Sequence, residues 1–430
     1  MTGEGLADLV VHALLEEHGT DVGTLWLVPG GALSADAAAS AAALRFVDGS
    51  PGLGSDYFIG PVYGSILGLE DLTGDGLPEL ALSSGTEHEG GPFAPADGAV
   101  YVLASPLPAT PGVTIPLAPS YALISALGAQ AFGSAMAAGD LDADGVQDLV
   151  VSANEAQDLD GKFRGSVYVF AGPLAPGEYH EDAARNWVHA VGNDPYLDGG
   201  PGAMGTQLIA TDLTGDGIAD LVVTASSAAV TPQQLSTGEV YYLEGPLFGD
   251  PVVQDASGTL QGDPSVDGDN FGGIANAIGD TDGDGLPEIA FSGTGGRLSL
   301  RGNTFIVNGP VVGRVAALDR ADTRFTGLAD YDQAAFGAPA GDLDLDGTDD
   351  LAVSAIAVNG DTRGAVFLYY GPIPTGVVPI DVSPGATLWG DGGWPIAVAA
   401  GGDLNGDCAP DLAVGSRFSD SVSILAGGSL

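Results

Sequence analysis

Positive charge is what this sequence has least of. Its 430 residues include 11 Lys and Arg against 57 Asp and Glu, a formal net charge of −46, and Lys162 is the single lysine. Nucleic acid and anionic membranes are bound through a basic footprint, so no nucleic acid is expected as a partner, and cations are the natural one. Cysteine is almost absent as well. Cys408 stands alone, which excludes an internal disulfide framework and a cysteine zinc cluster but leaves the compartment open. The uncharged stretch 98–139 is broken by Pro106, Pro108, Pro111, Pro116 and Pro119 and then by Gly, Ser and Gln, so it is no transmembrane helix and no membrane insertion is expected. The N-terminus lacks the basic start and apolar run of a signal peptide.

Glycine and apolar residues are abundant. With Gly 69, Pro 28, 45% hydrophobic and 16% charged residues, the chain has material for a large core and is heavily punctuated by turns. One segment recurs at Asp71, Asp140, Asp212, Asp280, Asp342 and Asp403, at intervals of 61 to 72 residues. A seventh copy opens the chain, with Thr2, Glu4 and Asp8 aligned on Thr73, Asp75 and Glu79. Each repeat holds four strand-like pieces: one leading into the acidic loop, one leaving it, an aromatic strand such as VYVF at Val167 that ends in Gly172-Pro173, and a shorter piece ending in glycine such as ATLWG up to Gly390. Four short antiparallel strands per repeat predict an all-β chain, a seven-bladed β-propeller of four-stranded antiparallel blades forming a single domain over 1–430. The Ala-rich stretch from Ala32 to Leu44 reads as a loop insertion between the third and fourth strands.

The acidic loops lie near 1–8, 71–79, 140–148, 212–220, 280–288, 342–350 and 403–411. Within each, oxygen side chains recur at loop positions 1, 3, 5 and 9: Asp71, Thr73, Asp75 and Glu79; Asp140, Asp142, Asp144 and Asp148; Asp212, Thr214, Asp216 and Asp220; Asp280, Asp282, Asp284 and Glu288; Asp342, Asp344, Asp346 and Asp350; Asp403, Asn405, Asp407 and Asp411. Ca²⁺ takes six to eight oxygens, and alternate side chains of a tightly curled loop converge on one point. Position 7 varies among Leu77, Val146, Ile218, Leu286, Thr348 and Ala409, as it would if only its backbone carbonyl were a ligand. Position 6 is glycine in every complete copy except at Cys408, suiting a sharp turn at positive φ. An EF-hand loop closes with Glu at position 12 between helices; here a strand follows position 9. Like charges crowded into one loop repel unless a counterion sits among them. Up to six Ca²⁺ sites are expected. The four-carboxylate loops at Asp140, Asp280 and Asp342 should be the tighter ones, and the N-terminal copy should be empty.

These residues resemble the FG-GAP repeats of the seven-bladed propeller at the head of integrin α subunits and of many bacterial surface and secreted proteins. The Phe-Gly half stands at Phe132-Gly133, Phe271-Gly272 and Phe336-Gly337, is softened to Met204-Gly205 and becomes Trp394-Pro395; the Gly-Ala-Pro half is degenerate, as in Val151-Ser152-Ala153. The resemblance implies Ca²⁺ sites on one face, ligand recognition through loops on the opposite face, and an extracellular or cell-surface location. The implied function is adhesion or ligand binding, with an extracellular protein or glycan as partner. Propellers with similar loops also occur in polysaccharide lyases and attached to phospholipases, so a carbohydrate-active enzyme, or the propeller part of a larger secreted hydrolase, is the rival. A cluster of Arg, Lys or His at the end of the channel would favour the enzyme, and exposed aromatics would favour binding.

Catalytic signatures are few. No Gly-x-Ser-x-Gly elbow, Gly-x4-Gly-Lys loop or His-Glu-x-x-His helix occurs. His88 between Glu87 and Glu89 reads as an exposed acidic loop, Lys162 and Arg164 as a solvated hairpin, and Trp26, Trp187, Trp389 and Trp394 as core packing on strand templates. Strand counting adds an expectation about the ends. The first repeat lacks an inner strand and the last lacks an outer one, and one upstream segment of about 25 residues would complete both blades and close the ring. Met1 then reads as an internal or misassigned start, with that segment lying behind an export signal.

Overall fold

The computed structural model describes residues 6–18, 21–31, 44–47, 66–84, 98–107, 114–116, 121–126, 131–157, 164–188, 204–229, 236–263, 265, 268–296, 299–334, 336–390, 395–416 and 421–428. Thr2, Glu4, the Ala-rich segment from Ala32, His88, Lys162 and Trp394 lie outside the described residues. Two compact units make up the chain: Met1–Ala190 with Pro246–Val252 and Leu404–Gly406, and Val191–Gly245 with Val253–Asp403 and Asp407–Leu430. Among the described residues the first holds three sheets and the second four, one sheet to each expected repeat. Among the described residues helix is confined to short turns such as Ala317–Arg320. No described helix is long and apolar enough to cross a membrane.

The third repeat shows how the blade is built. Phe132–Gly139, Asp148–Ala153, Ser166–Phe170 and Asn186–Val188 pair antiparallel in that order, with Val151 opposite Tyr168 and Met136. Its second and third strands are buried along their whole length, and Val151, Ala153, Tyr168 and Phe170 share one core with Val100, Val102 and Ile124 of the preceding repeat. Phe132 is fully buried and meets Phe170 edge-on at 6.4 Å. Gly133 sits at φ 86°, and a Cβ there would come within 2.7 Å of Ser83 Cβ in the preceding repeat. The Phe-Gly pair thus combines a filler for the inter-blade core with a backbone that lets the neighbouring sheet approach.

The terminal sheets hold the following described strands. Leu9–His18, Asp21–Val28 and Leu44–Val47 form the first, without a described strand before its loop, and Pro395–Gly402, Asp411–Ser416 and Ser421–Leu425 form the last.

Up to four antiparallel strands make up each described sheet, as the repeat predicts. Four sheets gain a short parallel strand supplied by the following repeat: Thr114–Pro116 on Leu44–Val47, Gly177–His180 on Ala122–Ser125, Gly313–Ala316 on Gly258–Gln261, and Gly376–Pro379 on Thr323–Thr326. The added strand covers backbone N–H and C=O groups that the outer edge would otherwise present unpaired. Arg314 on one such strand pairs with Glu239, a carboxylate only 1% exposed that also accepts bonds from Tyr241 Oη at 2.7 Å and Gln261 Nε2 at 2.8 Å. A second stitch follows the Gly-Pro stops. After three of these stops the next residue donates its N–H to position 2 of the preceding repeat's acidic loop: Leu174 to Leu72, Leu247 to Leu141 and Ile373 to Thr281, at 2.9, 2.7 and 3.2 Å.

Candidate metal centre

Each of the six acidic loops from Asp71 onward connects the first strand of its blade to the second, and its position-1 aspartate organises the turn. Asp280 Oδ1 accepts the N–H groups of Gly283 and Asp284 at 2.7 and 3.1 Å, while Oδ2 accepts that of Gly285 at 2.8 Å. Asp284 Oδ1 in turn accepts the Leu286 N–H at 2.9 Å. Asp71 and Asp212 repeat the three-donor pattern, and Asp140, Asp342 and Asp403 keep the position-5 and position-6 donors. Charge-assisted bonds of this kind fold the loop around one carboxylate. Burial works against ionisation of Asp212, but the N–H groups of Gly217, Gly215, Asp216 and Thr214 outweigh it and hold the carboxyl below its ordinary range.

Position 6 takes positive φ in all six loops from Asp71 onward, from 69° at Cys408 to 96° at Gly347, and a Cβ on the glycines at 76, 145, 217, 285 and 347 would meet nothing within 4 Å. The demand for glycine is therefore conformational, not spatial. Position 4 makes the same demand, at Gly74, Ala143, Gly215, Gly283, Leu345 and Gly406, which the variable residue type had concealed. A left-handed L-residue costs about 1–2 kcal/mol. Cys408→Gly should therefore raise stability by about 1 kcal/mol, read as a higher urea midpoint at unchanged slope; an equal or lower midpoint would count against this account of the loop.

Position 9 has two tasks. Asp148 is buried, with Oδ2 accepting the Leu141 N–H and Oδ1 the Gly172 N–H, both at 3.0 Å. Asp220 bonds Leu213 and Gly245, and Asp350 bonds Leu343 and Gly371, in the same way. Asp8 accepts from Gly30 and Asp411 from Gly427. The carboxylate thus clamps its own loop to the end of the third strand, a partner some twenty residues away that spacing within the loop does not reveal. Burial pushes Asp148 and Asp350 up to about 6 and Glu288 up to about 7, with the loop carboxylates adding to the effect against the lowering influence of the hydrogen bonds.

Four loops bring carboxylates together. Asp280, Asp282, Asp284 and Glu288 each place an oxygen within 4.8 Å of the others, and so do Asp71, Asp75 and Glu79; Asp140, Asp142 and Asp148; and Asp342, Asp344 and Asp346. Oxygens at about 2.3–2.6 Å from one Ca²⁺ stand no more than about 5 Å apart, so these groups fit such an ion. One orphan strengthens the fit: Glu288 Oε1 is buried without a hydrogen-bond partner among the described residues, while its Oε2 is held by the Thr281 N–H and hydroxyl.

The other expected ligands are less well gathered. Asp144 stands outside the Asp140 group and Asp350 outside the Asp342 group, and among the described residues no group of three carboxylates forms around Asp212 or Asp403. Thr73 donates its hydroxyl to Glu79 at 3.0 Å. In the Asp140 loop the side chain of Arg185 is ion-paired with Asp142, setting a protein cation against one of the expected ligands. Sequence spacing within the loop does not show this, because Arg185 belongs to the turn before the fourth strand.

Comparison with known proteins agrees with this architecture. The FG-GAP repeat model matches residues 132–170 and 204–243, which run from the Phe-Gly or Met-Gly pair to the end of the third strand. Integrin alpha-5 of Xenopus laevis is 37% identical over 112 residues, 24% of this chain and 10% of that protein. Human phosphatidylinositol-glycan-specific phospholipase D is 36% identical over 85 residues, 18% of the chain and 9% of that protein. The chain thus spans about a tenth of the length of these relatives. It carries FG-GAP repeats and resembles the integrin α propeller.

Proposed function

We propose that the chain is a calcium-binding extracellular β-propeller that acts as an adhesion or ligand-binding module. The observation that carries the calcium reading is the Asp280 loop, where four carboxylates converge around the unpartnered Glu288 Oε1. Asp280, Asp282, Asp284 and Glu288 would hold the ion by their side chains and Leu286 by its carbonyl. The ion would supply the positive charge that three like-charged neighbours in one turn require. The extracellular setting rests on the likeness to integrin and on the ion itself. Similarity to a phospholipase D favours a second reading, the propeller part of a larger secreted hydrolase.

Calcium titration calorimetry on the chelator-stripped chain tests the proposal, and saturable heat is the expected result. The Asp280 loop should be the tightest site, since Arg185 competes in the Asp140 loop. Asp284→Ala should therefore weaken the strongest site at least tenfold, and Asp144→Ala should leave it unchanged. Absence of calcium heat would overturn the reading. Equal losses in the two variants would overturn only the ranking.

A further inference from the structure

At the end of the sheets away from the acidic loops, the second unit presents two similar side-chain groups that the metal sites do not use. In the fifth repeat, Arg301 pairs with Asp330 at 3.3 Å, and Tyr331 beside it is 60% exposed. In the sixth, Arg363 bonds Asp361 through Nε at 3.1 Å and Nη2 at 2.7 Å and lies over the Trp389 ring, 5.0 Å from its centroid. Trp389 is 49% exposed, which corrects the expectation that it packs in the core.

Both groups stand on stiffened loops. Leu300, Tyr331 and Gln333 hold positive φ in two facing turns laced by Tyr331 N–H to Ser299 O at 2.8 Å and Gln333 N–H to Leu300 O at 3.1 Å. Asn359-Gly360 makes a two-residue hairpin turn with both residues at positive φ, closed by bonds between Val358 and Asp361 at 3.0 and 2.9 Å. Ala357 donates to the Asp332 carbonyl at 3.1 Å and joins the two loops into one rim. Non-glycine residues at positive φ persist where the surroundings impose them, characteristically at ligand clamps.

We propose that this rim, Arg301–Asp330–Tyr331 with Asp361–Arg363–Trp389, is a binding site for a neutral glycan, a reading that rests on the chain being a ligand-binding module. An exposed ring fixed in place offers a flat apolar face to the C–H side of a pyranose at little entropic cost. The Arg363 guanidinium pins one side of Trp389, and its Nη1 has no acceptor among the described residues and can donate to a sugar hydroxyl. Charge selects against acidic glycans. Each arginine of the rim is already neutralised by an aspartate, and a chain at −46 repels polyanions. A protein partner is the competing occupant, since Tyr, Trp and Arg also dominate protein interfaces, but two exposed rings accompanied by paired charges suit a polyhydroxylated ligand better.

The test is an array of neutral hexose and N-acetylhexosamine oligosaccharides beside sulfated and uronate-bearing ones, probed with the calcium-loaded full chain and with Trp389→Ala and Tyr331→Asn. The asparagine tolerates positive φ, and both rings are solvent-facing, so each variant should melt with the parent. Neutral glycans should bind, and each variant should bind them at least tenfold more weakly. Absence of neutral-glycan binding, preference for the acidic glycans, or undiminished binding by either variant would overturn the inference. Calcium heat without glycan binding would overturn this inference alone, whereas absence of calcium heat would overturn the reading beneath it.

Discussion

In calcium the protein should melt well above its melting temperature in chelator. An ion that binds only the folded state adds about 2.7 kcal/mol when its free concentration is a hundredfold above its dissociation constant. For a unit of 150–250 residues each kcal/mol moves the midpoint by about 2–4 °C, so a single occupied site shifts it by roughly 5–11 °C. Four loops gather at least three carboxylates, so the shift should grow as weaker sites fill and should not saturate at the first equivalent. Thermal scans across a calcium series provide the measurement. Coincident curves with ion and with chelator would show that the loops are ordinary turns.

The second large effect should appear with no ion present. Asp350→Ala removes the fully buried carboxylate that accepts the N–H groups of Leu343 and Gly371, each at 2.9 Å. The Leu343 N–H keeps a second acceptor in the Gly341 carbonyl at 3.1 Å, while that of Gly371 loses its acceptor; leaving one buried donor unsatisfied costs about 1–3 kcal/mol, and the loss should be of that size. Asp346→Ala, on an exposed side chain whose only partner among the described residues is Thr348, should cost less than about 1 kcal/mol in chelator. Urea melts of both variants in chelator compare them directly. If both lose the same small amount, position 9 serves the metal alone and is no clamp.

The loops were legible because their information is local. Carboxylates at alternate positions and glycine after the fifth describe a turn that needs no other part of the chain to be recognised. The strands around them were legible for a similar reason: VYVF and DLVV carry β-branched and aromatic side chains on both faces, and both runs are buried throughout. What escaped depends on partners distant in sequence. Gly376–Pro379 reads as a loop because its pairing partner lies in the preceding repeat, and the clamp at position 9 needs a glycine at the end of the third strand. Leu345 and Ala143 hide a left-handed backbone behind ordinary side chains. Trp389 has the pattern of a core strand, and only the packing around it shows that half the ring faces water.

The parallel stitches also set an order of events at the ribosome. The strand Thr323–Thr326 is covered by Gly376–Pro379, fifty residues further along the chain. At about 5–20 residues per second its cover follows roughly 3–10 s later. During that interval a nearly finished sheet waits with an open edge, and each stitch in turn closes the previous blade while a new one begins to form. Assembly is therefore vectorial. The pause after each outer strand is when a nascent chain would be most exposed to pairing with a neighbour on the same message.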